Sequence, residues 1–435
     1  MNSPRVTRRE LLAARGATTV GTAHAAPEVP VSTRELWSWV RAQQLLDPGI
    51  TYLDTGTIGP GLRAALAIEY RQQEQFNSDI DNYQRTYLSP TALNATMRRL
   101  GTLLGCKHDE LTITQGATEA LGIVANGLQL APGDEVIVTS HAHGSAIYPW
   151  LMRAQRHGVI VKQVVLPSPL QGRDQPLDLI AAAVTGKTRV IALSHLQCTD
   201  GAILPVADIC AFARQRNILT VVDGAQACGS LDINIGALGC DFYATSLHKW
   251  LNGPYGLGVL HVRRELLPIL SPTTVDSNIG WNVINRYGQA SIDDEVQRAA
   301  WPATLAKFGC NVRFFGPKLK ALDAALDFRE QLGADRIEAR IRELAIYARL
   351  RLQPLNDIEI LTPAQPGMWS GILAFRSRRI ASQELVQRLK RSNKILTSSI
   401  IKPATETAPE FSAVRVCLHI YNSHDDIERL VRALE

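Results

Sequence analysis

Short apolar runs rich in β-branched residues alternate with longer amphipathic stretches between residues 105 and 265 of the chain. Such runs are typical of strands when turn residues bound them, and the stretches between them predict helices. Strands separated by helices require right-handed crossovers, which favour a largely parallel sheet covered on both faces. The pattern therefore predicts an α/β domain whose strands occupy Leu111–Thr114, Glu135–Thr139, Val159–Val165, Arg189–Ser194, Leu219–Asp223, Phe242–Ser246 and Gly258–Val262.

The regions on either side of this alternation have other patterns. A short strand and a loop broken by glycine and proline at residues 51–60 precede helical patterning over residues 61–103. From about Pro317 to Arg351 apolar residues recur at three- and four-residue spacing, which predicts a helix. We expect residues 27–65 to pack on a small domain, residues 66–305 to form the large domain, and residues 306–435 to form that smaller α+β domain.

Composition narrows the class of protein. The 435 residues are enough for two domains, and the net charge of +5 comes largely from arginines near the N-terminus, so no nucleic-acid partner is expected. The seven cysteines include no C-x-x-C pair, and neither a metal site nor a disulfide framework is expected. Beyond the leader, no segment approaches the roughly 18 apolar residues of a membrane-spanning helix, so no membrane partner is expected either.

Residues 1–26 differ from the rest of the chain in composition, because basic and small residues predominate, and we interpret them as an N-terminal leader. The pair Arg8-Arg9 precedes a stretch of small residues that ends in Ala23-His24-Ala25, which resembles a twin-arginine export signal. Arg15 interrupts the apolar part of that signal. A basic disordered leader on a cytoplasmic protein explains the same residues, so both an exported and a cytoplasmic location stay open.

Lys249 is the first candidate for chemistry. The predicted strand Phe242–Ser246 delivers Ser246, His248 and Lys249 to its carboxyl end, just before a glycine-rich turn. Ligands of open α/β sheets bind at this edge, and a partly desolvated lysine there can have a pKa low enough to attack an aldehyde. An ordinary surface lysine would instead lie in a helix or a charged loop.

Two upstream segments reach the same edge. Asp223 ends a predicted strand and places a carboxylate there, although a turn or helix-capping aspartate is the alternative. Gly116-Ala117-Thr118 follows another strand and opens a helix, where backbone N–H groups and a threonine hydroxyl can bind phosphate. An ordinary capped helix start is the alternative here.

Taken together and in this order, these motifs resemble the class V aminotransferases, which are enzymes of fold type I that use pyridoxal 5'-phosphate (PLP), and among them the isopenicillin N epimerases. The resemblance spans residues ~50–435. It implies that Lys249 holds PLP as a Schiff base and that Asp223 keeps the pyridine nitrogen protonated. It further implies that Gln226 contacts the phenolic oxygen and that the phosphate is bound by Gly116, Ala117, Thr118, Ser246 and His248.

The resemblance also implies roles nearer the ends of the chain. His143 matches the histidine that stacks on the cofactor ring, with His141, or no role for either histidine, as alternatives. Arg415 matches the arginine that binds the α-carboxylate of the substrate, a task that suits its planar fork. A structural salt bridge is the alternative for Arg415. The family further implies a homodimer with active sites at the subunit interface.

Three positions depart from the family pattern. Desulfurases of this fold carry a nucleophilic cysteine on a loop about fifteen residues before the arginine, but residues 397–407 contain none, which argues against a cysteine desulfurase. Gln197 and Cys198 stand where the family often has asparagine, serine or threonine near the cofactor. Cys310 replaces the threonine of a Gly-Thr step that reaches the phosphate of the neighbouring subunit.

The predicted activity is transamination or epimerisation at Cα of an amino acid or an amino-acid-derived metabolite, with Lys249 moving the Cα proton. Elimination at Cβ or Cγ, as in C–S cleavage, begins with the same proton removal and is an alternative reaction. A non-catalytic PLP-binding protein is an alternative of another class, but the joint presence of Lys249, Asp223 and Arg415 weighs against it.

Overall fold

The computed structural model of the chain describes residues 33–87, 90–274, 305–308, 315–405 and 409–435. The leader of residues 1–26 and the Gly309-Cys310 step lie outside the described residues. The helices are α1 Thr33–Ala42, α2 Arg63–Ser78, α3 Ile80–Tyr87, α4 Pro90–Leu104, α5 Ala117–Gly127, α6 Gly144–His157, α7 Gln175–Ala183, α8 Val206–Arg214, α9 Ile235–Leu238, α10 Gly316–Leu332, α11 Ala334–Leu352, α12 Ser382–Asn393 and α13 His424–Leu434. The strands are β1 Thr51–Tyr52, β2 Leu111–Thr114, β3 Glu135–Thr139, β4 Ile160–Val164, β5 Thr188–Ser194, β6 Leu219–Asp223, β7 Phe242–Ser246, β8 Gly258–Val262, β9 Ile358–Ile360, β10 Ile372–Ser377, β11 Ile395–Leu396, β12 Ser398–Lys402 and β13 Phe411–Cys417.

The large sheet has seven strands in the order β2-β8-β7-β6-β5-β3-β4. The neighbours from β7 to β4 pair in parallel, whereas β8 is antiparallel to both β7 and β2. This confirms the mostly parallel α/β sheet, and each strand begins and ends within one residue of its predicted position. Residues 247–257 return the chain from β7 to β8 without a helix, so this pair is antiparallel, whereas helices lie between the consecutive parallel strands from β3 to β7.

Except in the edge strand β4, nearly all side chains of the large sheet are buried, on both faces. On β5, Val190 and Ala192 belong to one apolar cluster, while Ile191 and Leu193 belong to another. Successive strand residues point to opposite faces, so helices must cover both sides of the sheet. The apolar runs of the sequence therefore reflect burial on two faces, as predicted.

The small domain is built on a four-stranded antiparallel sheet in the order β12-β13-β10-β9. Helices α11 and α12 pack against β10. Strand β1, near the N-terminus, pairs in parallel with β11, and Leu53 N–H donates to Leu396 O at 2.9 Å. The smaller C-terminal α+β domain is thus confirmed, while the exact domain limits stay predictions. None of the described helices is both long and apolar enough to cross a bilayer.

The helical segment predicted from about Pro317 to Arg351 is confirmed, but the periodicity did not show that it is divided. It consists of two helices, α10 and α11, that meet at Gly333. Gly333 has φ +84°, a backbone conformation that glycine adopts at low cost and that ends a helix. The apolar spacing continues on both sides of this glycine, so periodicity alone did not reveal the break.

Candidate active site

A cavity of about 120 Å³ lies at the carboxyl edge of the large sheet. Parallel strands present their carboxyl ends to one edge, so the last residues of β5, β6 and β7 all reach this cavity. All nine residues predicted to bind the cofactor line it: Gly116, Ala117, Thr118, His143, Asp223, Gln226, Ser246, His248 and Lys249. The lining also includes residues that the sequence did not single out as ligands, namely Gln115, Ser145, Ser194, Leu196 and Ala225.

Lys249 lies in the loop that follows β7. A hydrogen bond of 2.9 Å from Gly59 N–H to His248 O ties this loop to the N-terminal segment. A Cβ at position 59 would lie 2.0 Å from the Lys249 carbonyl oxygen, so only glycine permits this approach. Among the described residues, the Lys249 ammonium has neither a hydrogen-bond acceptor nor an ion-pair partner.

The electrostatic setting of Lys249 favours its neutral form. Burial lowers the pKa of Lys249, and the negative charge of Asp223 opposes this effect without cancelling it. A lowered pKa leaves more neutral amine at a given pH, and the neutral amine is the form that attacks an aldehyde. These properties are consistent with the predicted role of Lys249 as a nucleophile, which stays a prediction.

Asp223 ends β6 and is buried. Its Oδ1 accepts a hydrogen bond of 3.0 Å from Ala225 N–H, whereas Oδ2 has no donor among the described residues. A buried carboxylate with a free oxygen is costly unless a cationic or donating group meets it. The protonated nitrogen of a pyridine ring would supply that group.

The start of α5 forms the other end of the cavity. Gly116 caps this helix with φ +134°, and as a glycine it has no side chain of its own to accept from the first amides. Ala117 N–H donates to Ser246 Oγ at 3.0 Å, which joins the helix to the end of β7. A Cβ at Gly116 would lie 3.5 Å from Ser246 Oγ and 3.6 Å from His248 Cε1. The absence of a side chain at Gly116 therefore leaves this end of the cavity open. Open N–H groups at a helix N-terminus bind phosphate.

The structure separates the two candidate histidines. His143 lines the cavity at its exposed rim, and its Nδ1 accepts a hydrogen bond of 3.2 Å from Ser145 N–H. His141 is buried and lies 2.9 Å from Thr199 Oγ1 through its Nδ1, away from this cavity. The position of His143 supports the predicted stacking role, which stays a prediction.

Gln226 and Cys198 line the wall between the two ends of the cavity. Gln226 donates from Nε2 to Gly56 O and accepts from Trp250 Nε1, both at 2.8 Å, so one Nε2 proton remains for a cofactor oxygen. Burial raises the pKa of the Cys198 thiol, which therefore stays protonated.

Arg415 does not line the cavity but lies beside it, buried in β13. Its Nη2 donates to Asp54 Oδ1 at 2.9 Å and to Thr57 Oγ1 at 2.6 Å, while Nη1 donates to Cys198 O at 3.2 Å. Sequence reasoning missed Asp54 and Thr57 because a loop aspartate 361 positions away carries no local signal. The ion pair with Asp54 is the structural alternative named for Arg415, yet Nε still lacks a partner among the described residues.

Gly56 marks the contact between the arginine and the cavity. A Cβ at this position would lie 2.7 Å from Cys417 Sγ, 3.1 Å from Gln226 Oε1 and 3.3 Å from Arg415 Cζ. Glycine is therefore required for the N-terminal segment to pass between the two sides of the site.

Comparison with known proteins now adds to this geometry. The family model described as aminotransferase class-V matches residues 67–430. The chain belongs to the class V aminotransferase family. It is therefore a PLP-dependent enzyme of fold type I that acts on amino-acid-type substrates.

Three relatives indicate the range of reactions in the family. The chain is 32% identical to isopenicillin N epimerase of Amycolatopsis lactamdurans, over 92% of this chain and 98% of the relative. It is 31% identical to a probable cysteine desulfurase of Xylella fastidiosa (strain Temecula1 / ATCC 700964), over 79% of each chain. The crystal structure of the cystine C–S lyase C-DES with its product cysteine persulfide matches with TM-score 0.74 and 25% identity, over 89% of this chain and 97% of that one.

The residues of the cavity fit PLP. The Lys249 amine without a partner suits its aldehyde, the free oxygen of Asp223 suits its ring nitrogen, and the open amides after Gly116 suit its phosphate. These three groups reach one cavity from three different strand ends. PLP supplies an electron sink at the ring, which stabilises negative charge at the substrate Cα.

Proposed function

We propose that this enzyme moves the Cα proton of an amino acid or an amino-acid-derived metabolite, with epimerisation as its principal reaction. One observation carries the proposal: the amine of Lys249 is mostly buried, has a lowered pKa, and has no partner among the described residues. An amine with a lowered pKa is in its neutral, proton-accepting form more often than the amine of an ordinary lysine. The relative from Amycolatopsis, which is an isopenicillin N epimerase, supports epimerisation over transamination.

Arg415 orients the substrate in this proposal. Its Nε lacks a partner among the described residues, and its Nη1, which donates once, to Cys198 O, keeps a second proton; these are the N–H groups that it can offer to the α-carboxylate. The Asp54 carboxylate holds the guanidinium in place through Nη2, at 2.9 Å. A fixed plane holds the Cα–H bond at one angle to the cofactor ring, which speeds proton removal by orientation.

Elimination at Cβ or Cγ is the second candidate, because the similar proteins include cysteine desulfurases and a cystine C–S lyase. A desulfurase also needs a thiol to take the sulfur. Residues 397–407, where desulfurases of this fold carry that cysteine, contain none. This departure places elimination behind epimerisation.

We also propose a homodimer with active sites at the subunit interface, as the family resemblance implies. Within each chain, residues 27–65 would pack on the small domain, residues 66–305 would bind PLP, and residues 306–435 would form the small domain. The pairing of β1 with β11 supports this arrangement. Sedimentation of the PLP-loaded protein tests the dimer.

Exchange in D₂O tests the proposed reaction directly. The PLP-loaded protein is incubated with a panel of L- and D-amino acids, and the Cα proton is followed by NMR while the enantiomers are separated by chiral chromatography. Epimerisation predicts Cα deuteration with loss of enantiomeric excess. The matched control is Lys249→Ala, which should show neither change.

The other outcomes decide between the alternatives. Accumulation of a 2-oxo acid would make transamination the principal reaction, and release of ammonia with sulfide would favour elimination. No exchange with any amino acid of the panel, in protein that binds PLP, would refute proton transfer and favour a non-catalytic binding protein.

A further inference from the structure

A second and larger cavity lies next to the first. Its volume is about 730 Å³, and most of its lining is apolar, with Tyr148, Leu166 and Phe411 among the larger side chains. A cavity of this size accommodates a drug-sized ligand. Tyr148 is 69% exposed, so the cavity opens to solvent beside that side chain.

The two cavities share one wall, which is the turn of residues 140–143 after β3. His141 lines the larger cavity and His143 lines the smaller one. Lys402, at the end of β12, donates from Nζ to Ala142 O between these two histidines. Its positive charge also acts to lower the pKa of His143 and of Cys198, which both line the smaller cavity. Lys402 therefore lies where the larger cavity approaches the cofactor site.

Lys402 is the cation of the larger cavity that lacks a carboxylate among the described residues. The other cation, Arg376, is paired with Glu359 through two contacts of 3.0 Å. Glu410, the acidic lining residue, forms no ion pair with Lys402. A partly buried ammonium bonded only to a carbonyl still has two protons and a full charge to offer a ligand.

We propose that the larger cavity holds the side chain of the substrate and that Lys402 binds an anionic group, such as a carboxylate, on that side chain. The apolar walls would contact the chain between Cα and the anion. This inference rests on the proposed function, because it takes Cα to lie at Lys249. It assigns a substrate class: amino acids with a long side chain that ends in a carboxylate.

The electrostatics of Lys402 agree with this assignment. Burial lowers the pKa of Lys402, so the protein itself does not fully stabilise the charge. An anionic ligand would supply the missing partner, as a charge-assisted hydrogen bond. A neutral side chain of the same length would leave the ammonium unpaired.

The test compares charged and neutral substrates of equal length. The PLP-loaded enzyme is titrated with L-2-amino dicarboxylic acids of four to eight carbons and with their ω-amides, and binding is read from the absorption of the bound cofactor. At the length that reaches Lys402, the acid should bind about 10-fold more tightly than its amide. Lys402→Met should remove this preference for the acid over the amide, whereas Lys402→Arg should keep it.

The matched control is Lys187→Met, which removes an exposed lysine outside both cavities. Thermal unfolding of each variant shows whether it folds. If Lys402→Met does not fold, Lys402→Arg still tests whether a cation at this position gives the preference for acids. Equal affinity for acids and amides at every length would overturn the inference while leaving the proposed function in place. A preference that persists in Lys402→Met would also overturn it. If no amino acid, charged or neutral, changes the spectrum, the proposed function fails and this inference fails with it.

Discussion

The two sides of the active site differ in how complete their polar contacts are. On the cofactor side, the Lys249 ammonium and Asp223 Oδ2 have no partners among the described residues. On the arginine side, Arg415 already binds the Asp54 carboxylate at 2.9 Å and Thr57 Oγ1 at 2.6 Å. The cofactor side thus has free groups that a ligand must satisfy, whereas the arginine side is held by the protein itself.

This difference predicts that the two sides serve different tasks. Groups left free in a buried site carry a desolvation cost that a bound cofactor removes, which favours tight and lasting binding. A guanidinium held by an internal carboxylate keeps its position whether or not a substrate is present, which favours repeated turnover. Variants on the two sides should therefore change different measured quantities.

The largest effect should come from Lys249→Ala. Loss of the amine removes the proton carrier, so the rate of Cα exchange should fall by about 10³-fold. The free energy of unfolding of the cofactor-free protein should not fall, because the lowered pKa shows that burying this ammonium is unfavourable. Stopped-flow exchange and denaturant unfolding measure the two quantities, with Lys187→Ala as the exposed control. Cα exchange at the wild-type rate in Lys249→Ala would contradict the assignment of Lys249 as the group that moves the proton.

A smaller loss is expected for Asp223→Asn. The amide can still accept from Ala225 N–H, so the fold of the turn is kept. The negative charge that would meet the ring nitrogen is lost, and kcat should fall on the order of 10²-fold. Steady-state kinetics at saturating substrate give kcat. A kcat within twofold of the wild type would show that this carboxylate serves the fold alone.

Arg415→Lys should affect KM more than kcat. Lysine keeps the positive charge beside Asp54 but loses the planar fork, so KM for a carboxylate substrate should rise about 10-fold. The control is Arg351→Lys, which alters an exposed arginine that is paired with Glu428 at 2.7 Å. An unchanged KM in Arg415→Lys would favour the purely structural salt bridge.

The smallest effect concerns pH and two buried histidines near the site, His195 and His419. Burial lowers the pKa of His195, which follows Ser194, to about 4, and the pKa of His419, which contacts Trp250, to about 3. The folded-state pKa lies below the unfolded value near 6.5, so the unfolded chain binds more protons as the pH falls. Stability is therefore full above about pH 6.5 and is lost towards pH 4, by about 0.7 kcal/mol per histidine from pH 7 to 6.

Denaturant unfolding at several pH values measures this loss. His195→Gln and His419→Gln should each reduce the dependence of the unfolding free energy on pH between 7 and 5. A dependence that is unchanged in both variants would mean that other groups control it.

Much of the large domain followed from the sequence. The strands from β2 to β8 were predicted to within one residue because all except the edge strand β4 are short apolar runs buried on both faces and bounded by turn residues. The break at Gly333 was not predicted, because helical periodicity continues across it. In the cavity, the nine residues predicted to bind PLP were brought together because most of them follow the ends of neighbouring strands. Their individual roles stay predictions.

The contacts of Arg415 and Lys402 could not be predicted in the same way. Asp54 meets Arg415 from the other end of the chain, and Ala142 meets Lys402 across 260 positions. Neither pair has a local pattern, because the contact depends on how the N-terminal segment and β12 pack against the large domain. The larger cavity likewise exists only where these parts come together.

The sequence by itself therefore determined the class V fold, the PLP cofactor and the set of residues at the sheet edge, because hydrophobic periodicity and strand-end motifs are local properties of the chain. The tertiary structure decided that Arg415 is held by Asp54, that His143 rather than His141 lines the cofactor cavity, and that Lys402 lacks a carboxylate partner among the described residues. These are properties of distance and burial, which arise only when segments that are far apart in sequence pack together.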